Sequence, residues 1–172
     1  MLAAGGLDIA DAFSTNIFAG NGGLQTITSG IDLSGEGGLV WAKIRTQADA
    51  HFFFDTERGT DLTVSSDSSS AAQNNAGANF AFSSTGHSIN NNYGSMNFSG
   101  RNYVHWTFRK APKFFDVVTY TGDGVSGRTI PHNLEVEPKL IIIKCTNVSK
   151  DWTVVSDVDG SRRLMQSFND VR

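Results

Sequence analysis

This sequence runs parallel to itself. Phe18-Ala19-Gly20-Asn21-Gly22 matches Tyr120-Thr121-Gly122-Asp123-Gly124 at a shift of 102 residues. Thr26-Ile27 matches Thr129-Ile130 at 103, and Leu39-Val40-Trp41-Ala42-Lys43 matches Leu140-Ile141-Ile142-Ile143-Lys144 at 101. Asp55 then aligns with Asp157, and Gly59 falls near Gly160. In each copy a strand, an Asn/Asp-Gly turn, a second strand, a loop and an apolar strand follow in the same order. Order and spacing together predict a duplicated module.

The repeat sets the boundaries. Residues 1–12 read as an N-terminal arm, 13–108 as the first module, 109–113 as a linker and 114–172 as a truncated second module. Proline and three cations in Arg109-Lys110-Ala111-Pro112-Lys113 predict an exposed, extended connection. The second copy has no counterpart of the Phe80 strand or of the Tyr103–Phe108 strand. A sandwich without its last strands has open edges and an uncovered apolar face. Either the first copy covers that face or another subunit does, and a homo-oligomer is expected.

Within each copy the pattern is β. Phe80 and Phe82 alternate with polar or small residues, and Val104, Trp106 and Phe108 alternate with Tyr103, His105 and Thr107. A period of two places each set on one face of a strand. Leu39–Ala42 and Leu140–Ile143 are continuous apolar runs suited to central strands. Asn21-Gly22, Asp123-Gly124 and Asp159-Gly160 predict hairpin turns with positive φ at both positions. No sustained 3.6-residue stripe appears. The fold class is therefore all-β, an antiparallel, jelly-roll-like β-sandwich with a second, partial copy of the module. Residues 65–79 and 85–94 read as surface loops. Within them Asn74, Asn75, Asn90, Asn91, Asn92 and Tyr93 are the candidate ligand-contacting residues.

Composition excludes several classes. With 14 Lys+Arg against 17 Asp+Glu the net charge is -3, so no nucleic-acid partner is expected. No apolar run approaches the roughly 20 residues that span a bilayer, and no membrane association is expected. The start, Met1–Phe13, lacks a basic stretch and is broken by Gly5, Gly6, Asp8 and Asp11, unlike a signal peptide. The single cysteine, Cys145, excludes an internal disulfide framework and reads as a small buried hydrophobe in the Leu140–Cys145 strand.

Chemistry-bearing constellations are sparse. His51, His87, His105 and His132 show no ligand spacing, so no metal or cofactor is expected. His105 reads as a surface or hydrogen-bonded residue on the polar face of its strand, and His132 as a backbone-bonding turn residue. Asp55 and Glu57 would share a face in an extended chain, as acid–base carboxylates require. The simpler role of Asp55, and of Asp157 in the other copy, is to cap a strand end or to pair with Arg58 or Arg162. Asp157-Val158-Asp159-Gly160 matches only the start of a calcium loop. The Gly20–Gly23 and Gly35–Gly38 stretches precede no helix and no Lys-Ser/Thr, and read as tight turns. The chain is expected not to be an enzyme. Phe52-Phe53-Phe54 and Phe114-Phe115 put rings on both faces of a strand, for packing within the chain or against a neighbour.

The stretches Phe13-Ser-Thr-Asn-Ile-Phe-Ala-Gly-Asn-Gly22 and Gly30-Ile-Asp-Leu-Ser-Gly-Glu-Gly-Gly-Leu-Val-Trp-Ala-Lys43 resemble a module of marine tailed-phage virion structural proteins. So do Phe54–Gly59, Tyr103–Gly122 and His132-Asn-Leu134. The resemblance covers about residues 13–145 and brings no catalytic motif. It implies a part in long tail-fibre or adhesin chains, or in shorter particle-surface proteins of cyanophage-like viruses. A chain that stops inside the second module suits a capsid decoration or knob-like protein better than a fibre shaft. The expected partners are other virion proteins, either the major capsid protein or tail proteins. The expected contact residues are Leu2, Leu7, Phe13, Arg109, Lys110, Lys113, Phe114 and Phe115. The alternative is a receptor-binding tail protein that recognises host surface polysaccharide, and a third class is a tail-associated glycan hydrolase.

Overall fold

A computed structural model describes residues 6–75, 80–90, 96–157 and 163–165. A short 3-10 turn, Ile9–Asp11, is capped by the Asp8 side chain, whose carboxylate accepts from the Ala10 N–H. The strands that follow are β1 (Phe13–Ala19), β2 (Gln25–Thr28), β3 (Gly38–Ile44), β4 (His51–Asp55), β5 (Gly59–Ser65) and β6 (Gln73–Asn74). Next come β7 (Ala81–Ser83), β8 (Gly86–Ile89), β9 (Asn102–Arg109), β10 (Leu140–Ile143), β11 (Thr153–Ser156) and β12 (Arg163–Met165). They form a six-stranded sheet in the order β1-β9-β3-β4-β5-β6 and two three-stranded sheets, β2-β8-β7 and β10-β11-β12. The fold is all-β with antiparallel sheets, as the alternation predicts.

The core lies between the six-stranded sheet and β2-β8-β7. Val40 and Ala42 of β3 and Phe52 and Phe54 of β4 point inward, and meet Ile31, Leu33, Phe80, Ile89 and Met96. Phe54 stacks on Phe80 with ring centroids 4.1 Å apart. Each such side chain, taken from water, contributes about 1.5–3 kcal/mol. The opposite face of the six-stranded sheet holds a second aromatic row, in which Trp41 lies against both Phe53 and Trp106. Trp152, just ahead of β11, meets Phe53 edge-on, and its Nε1–H donates to the Ser65 and Ser68 carbonyls. That anchor ties the β10-β11-β12 sheet to the first module. Backbone bonds from Ala72 N to Thr146 O and from Lys150 N to Ser69 O reinforce it.

The two meanders share one register. β3 pairs with β4 through Leu39↔Asp55, Val40↔Phe54, Trp41↔Phe53 and Ala42↔Phe52. β10 pairs with β11 through Leu140↔Ser156, Ile141↔Val155, Ile142↔Val154 and Ile143↔Thr153. Every pair is its counterpart moved by 101 residues, and Val154↔Met165 likewise repeats Phe53↔Val64.

Several local expectations change. Asn21-Gly22 does not close a hairpin, because β1 and β2 lie in different sheets and only Gly22 has positive φ. Asp123-Gly124 likewise has positive φ only at Gly124, and Asp159-Gly160 lies outside the described residues. The 85–94 loop contains β8, the central strand of its sheet. On β9 the polar set faces inward: Tyr103, His105 and Thr107 are buried, while Trp106 and Phe108 are half-buried on the other side. A strand set between β1 and β3 has its backbone satisfied on both edges, so inward polar groups need only side-chain partners. The linker is neither extended nor wholly exposed. Arg109 ends β9, Ala111 is buried, and Ala111 N and O both bond to the Phe115 backbone in a tight turn.

Candidate functional site

The predicted contact residues gather around that turn. Phe13 and Phe115 both pack on Phe108, at 4.9 and 5.3 Å between ring centroids, so both rings spend their apolar surface within the chain. Phe114 is half-buried and Leu7 is exposed; Leu2 lies outside the described residues. Lys113 is exposed with φ +62°, a left-handed conformation, and its N–H donates to Leu134 O. Arg109 is half-buried. Lys110 is drawn inward: its Nζ lies 2.6 Å from Glu57 Oε1 and 3.4 Å from Asp116 Oδ1. The hydrogen bond that Lys110 donates to Glu57 is the main cause that raises the Lys110 pKa above its ordinary value.

These three charges line a shallow cleft of about 250 Å3 together with Val118, His132 and Asn133. Asp116 is engaged within the chain, its two oxygens accepting from the Val117 and Asn133 N–H groups. His132 Nδ1 accepts from Leu134 N, the backbone-bonding turn role expected of it. The cleft lies between the turn after β4 and the segment that follows β9.

The other chemical candidates are also engaged within the chain. Asp55 is buried and Glu57 exposed, so the two carboxylates do not share a face: a turn begins after Asp55. Asp55 accepts from Arg58 N at 2.9 Å and from Arg58 Nε at 2.6 Å. Asp157 pairs with Lys139, and Arg162, its expected partner, lies outside the described residues. Cys145 falls after β10 and is only half-buried, with its thiol against Asn147 Oδ1. Among the described residues no group of three or more His, Cys, Asp or Glu could hold a metal ion.

The candidate ligand loops separate. Asn74 is exposed on β6, whereas Asn75 is 1% exposed and bonds the buried Thr63 hydroxyl, which removes it from any ligand surface. Asn90 is half-buried just after β8, and Asn91, Asn92 and Tyr93 lie outside the described residues.

Sequence spacing did not reveal the histidine pair. His87 on β8 and His105 on β9 come from different sheets, and their Nε2 and Nδ1 atoms meet at 2.8 Å in the core. Burial drives the His87 pKa down to about 3, and burial and then His87 hold His105 well below the ordinary value. The signal available was the inward phase of β9, which hydrophobicity alone assigns to Val104, Trp106 and Phe108.

The two copies of the Gly-Asn/Asp-Gly turn differ in what surrounds them. In the first, Asn21 Oδ1 accepts from Gly23 N, and in the second Asp123 Oδ1 accepts from Val125 N. Gly22 and Gly124 have φ of +73° and +75°. Around the first turn, Asn97 bonds Asn21 through both side-chain atoms, Gly22 N donates to Asn97 O, and Gly20 N donates to Arg101 O. A Cβ on Gly20 would overlap the Phe98 carbonyl and lie 2.8 Å from Tyr103 Cε2. A Cβ on Gly122 or Gly124 would meet nothing within 4 Å. The two turns have the same shape, but only the first is filled.

Residues 8–168 match a domain of unknown function, DUF7483. The chain belongs to the DUF7483 family. The match runs through the turn at 109–113, so the DUF7483 unit includes both meanders. No curated protein and no solved structure matches the chain.

Proposed function

We propose that this DUF7483 chain is a non-enzymatic structural protein of a tailed-phage particle, displayed on the outside of the capsid as a decoration or knob-like protein. Its second half is the assembly surface, and its partners are the major capsid protein and sister copies. The observation that supports this reading is where apolar surface lies. Of twelve large hydrophobic residues exposed among the described residues, seven fall between Val118 and Val148. Apolar groups concentrated on one part of a folded chain mark a contact surface, since a patch facing water gains nothing. The sequence resemblance to marine tailed-phage virion proteins supplies the kind of assembly.

A reconstruction of the particle tests it. The expected result is density for this fold on the capsid surface, with residues 118–148 against the shell or a sister copy. Density confined to the tail would overturn the capsid assignment in favour of a polysaccharide-reading adhesin. Absence from purified particles would overturn the structural role.

A further inference from the structure

In the first module one segment, Asn97–Arg109, completes the fold. It stitches the Asn21 turn, seats Phe98 and Tyr103 against Gly20, and then runs as β9 between β1 and β3. Among the described residues β1 has no other strand partner, and β2 pairs only with β8. Between Asp116 and Lys139 the second copy has turn-forming and β-branched residues like those of β1 and β2, but no strand. β10 is the edge of its sheet, and the side where β3 would carry β9 holds no described strand. Leu140 and Ile142, the counterparts of Leu39 and Trp41, are 56% and 46% exposed.

Gly122 is the second, independent observation. Its φ is not positive, so backbone conformation does not demand glycine, and no atom lies near enough to exclude a side chain. Its counterpart Gly20 is glycine because a passing segment leaves no room. Gly122 therefore preserves a cradle that the described residues leave open.

We infer that the second module is an acceptor for strand addition: β10 and the Gly122–Gly124 turn receive an extended segment with the chemistry of Asn97–Arg109. An amide side chain donates to Asp123 as Asn97 donates to Asn21, an aromatic residue closes over Gly122, and a strand of alternating aromatic and small polar residues pairs with Leu140–Ile143. Main-chain bonds supply affinity, and alternate side chains supply selectivity. A second folded copy of this chain cannot be the donor, because its own segment is held between β1 and β3. The inference deepens the assembly reading above by naming what the exposed second half takes up.

The probe is a synthetic peptide of residues 96–110, titrated into the full chain by calorimetry and by amide exchange. Saturable binding, with slowed exchange at Leu140–Ile143, is the expected result. Gly122→Val should keep the thermal midpoint and weaken binding by about tenfold or more, the loss expected of a side chain placed in the path of the aromatic. Ile142→Lys should do the same from the strand edge. A peptide of the same composition in scrambled order should not bind. No protection of β10, or equal binding by Gly122→Val, would overturn the inference. Peptide binding by a protein absent from particles would instead overturn only the assembly reading. A capsid location that Gly122→Val leaves intact would overturn only the strand-acceptor inference.

Discussion

His87 Nε2 and His105 Nδ1 lie 2.8 Å apart in the core, one ring from each sheet of the first module. One nitrogen donates and the other accepts, so the bond is lost once both rings are protonated, and burial opposes protonation of either. Phe80 stacks on His87 and Phe18 meets His105 edge-on, which keeps water away.

Stability should therefore fall as pH drops below about 6.5. Both folded-state pKa values are depressed, His87 to about 3, so the unfolded chain binds protons that the native chain refuses. His87 should remove about 1.4 kcal/mol per pH unit between pH 6 and pH 4.5, and His105 adds a loss of the same sign. His51, also lowered by burial and Lys43 against an opposing Asp67, adds a smaller change of the same sign. Urea midpoints across this range check the slope. The double replacement His87→Leu with His105→Leu should flatten most of it, and NMR should show neither ring titrating in the native state above pH 4.5.

Gly20→Ala should destabilise the fold by about 1–3 kcal/mol, the usual cost of forcing a methyl into a filled site. Its Cβ would collide with the Phe98 carbonyl and the Tyr103 ring. Thermal or urea denaturation measures the loss, and a neutral outcome would contradict the packing of the 97–103 segment on this turn.

Removing Asp55 should cost far more than removing Glu57. Asp55 and Arg58 have side chains 3% and 9% exposed, and Asp55→Ala leaves the guanidinium buried without its partner, a loss of about 3–5 kcal/mol. Glu57→Gln breaks a more exposed ion pair with Lys110 and should cost less than about 1 kcal/mol. Equal losses in denaturation would contradict this ordering.

Trp152→Ala should undock the third sheet from the first module. The ring is 5% exposed, packs on Phe53 and donates to two carbonyls of the 65–68 stretch. A loss of about 3–5 kcal/mol is expected for deleting so large a buried side chain. Exchange at Val154 and Val155 should accelerate while Val40 and Phe54 stay protected; uniform acceleration would show that the two parts unfold as one.

Period-two alternation was enough to identify the strands around Phe82 and Trp106, because side-chain direction along a strand is a local property. The repeat was legible for a related reason: a shift near 101 aligns apolar runs, and paired strands inherit their register from such runs. Asp55 with Arg58, three residues apart, was legible as a local contact. Residues 86–89 were not legible as a strand, since Gly86-His87-Ser88-Ile89 has weak strand propensity and forms only because β2 and β7 flank it.

By itself the sequence determined the all-β class, the doubled turn and the apolar run of each meander, all set by chain-local periodicity and turn chemistry. Only the tertiary structure decided which face of β9 points inward, that two histidines 18 residues apart share a hydrogen bond, and that Gly20 is filled where Gly122 stands open. Those depend on which strands become neighbours across the two layers. Neighbours distant in sequence leave no mark in the local pattern.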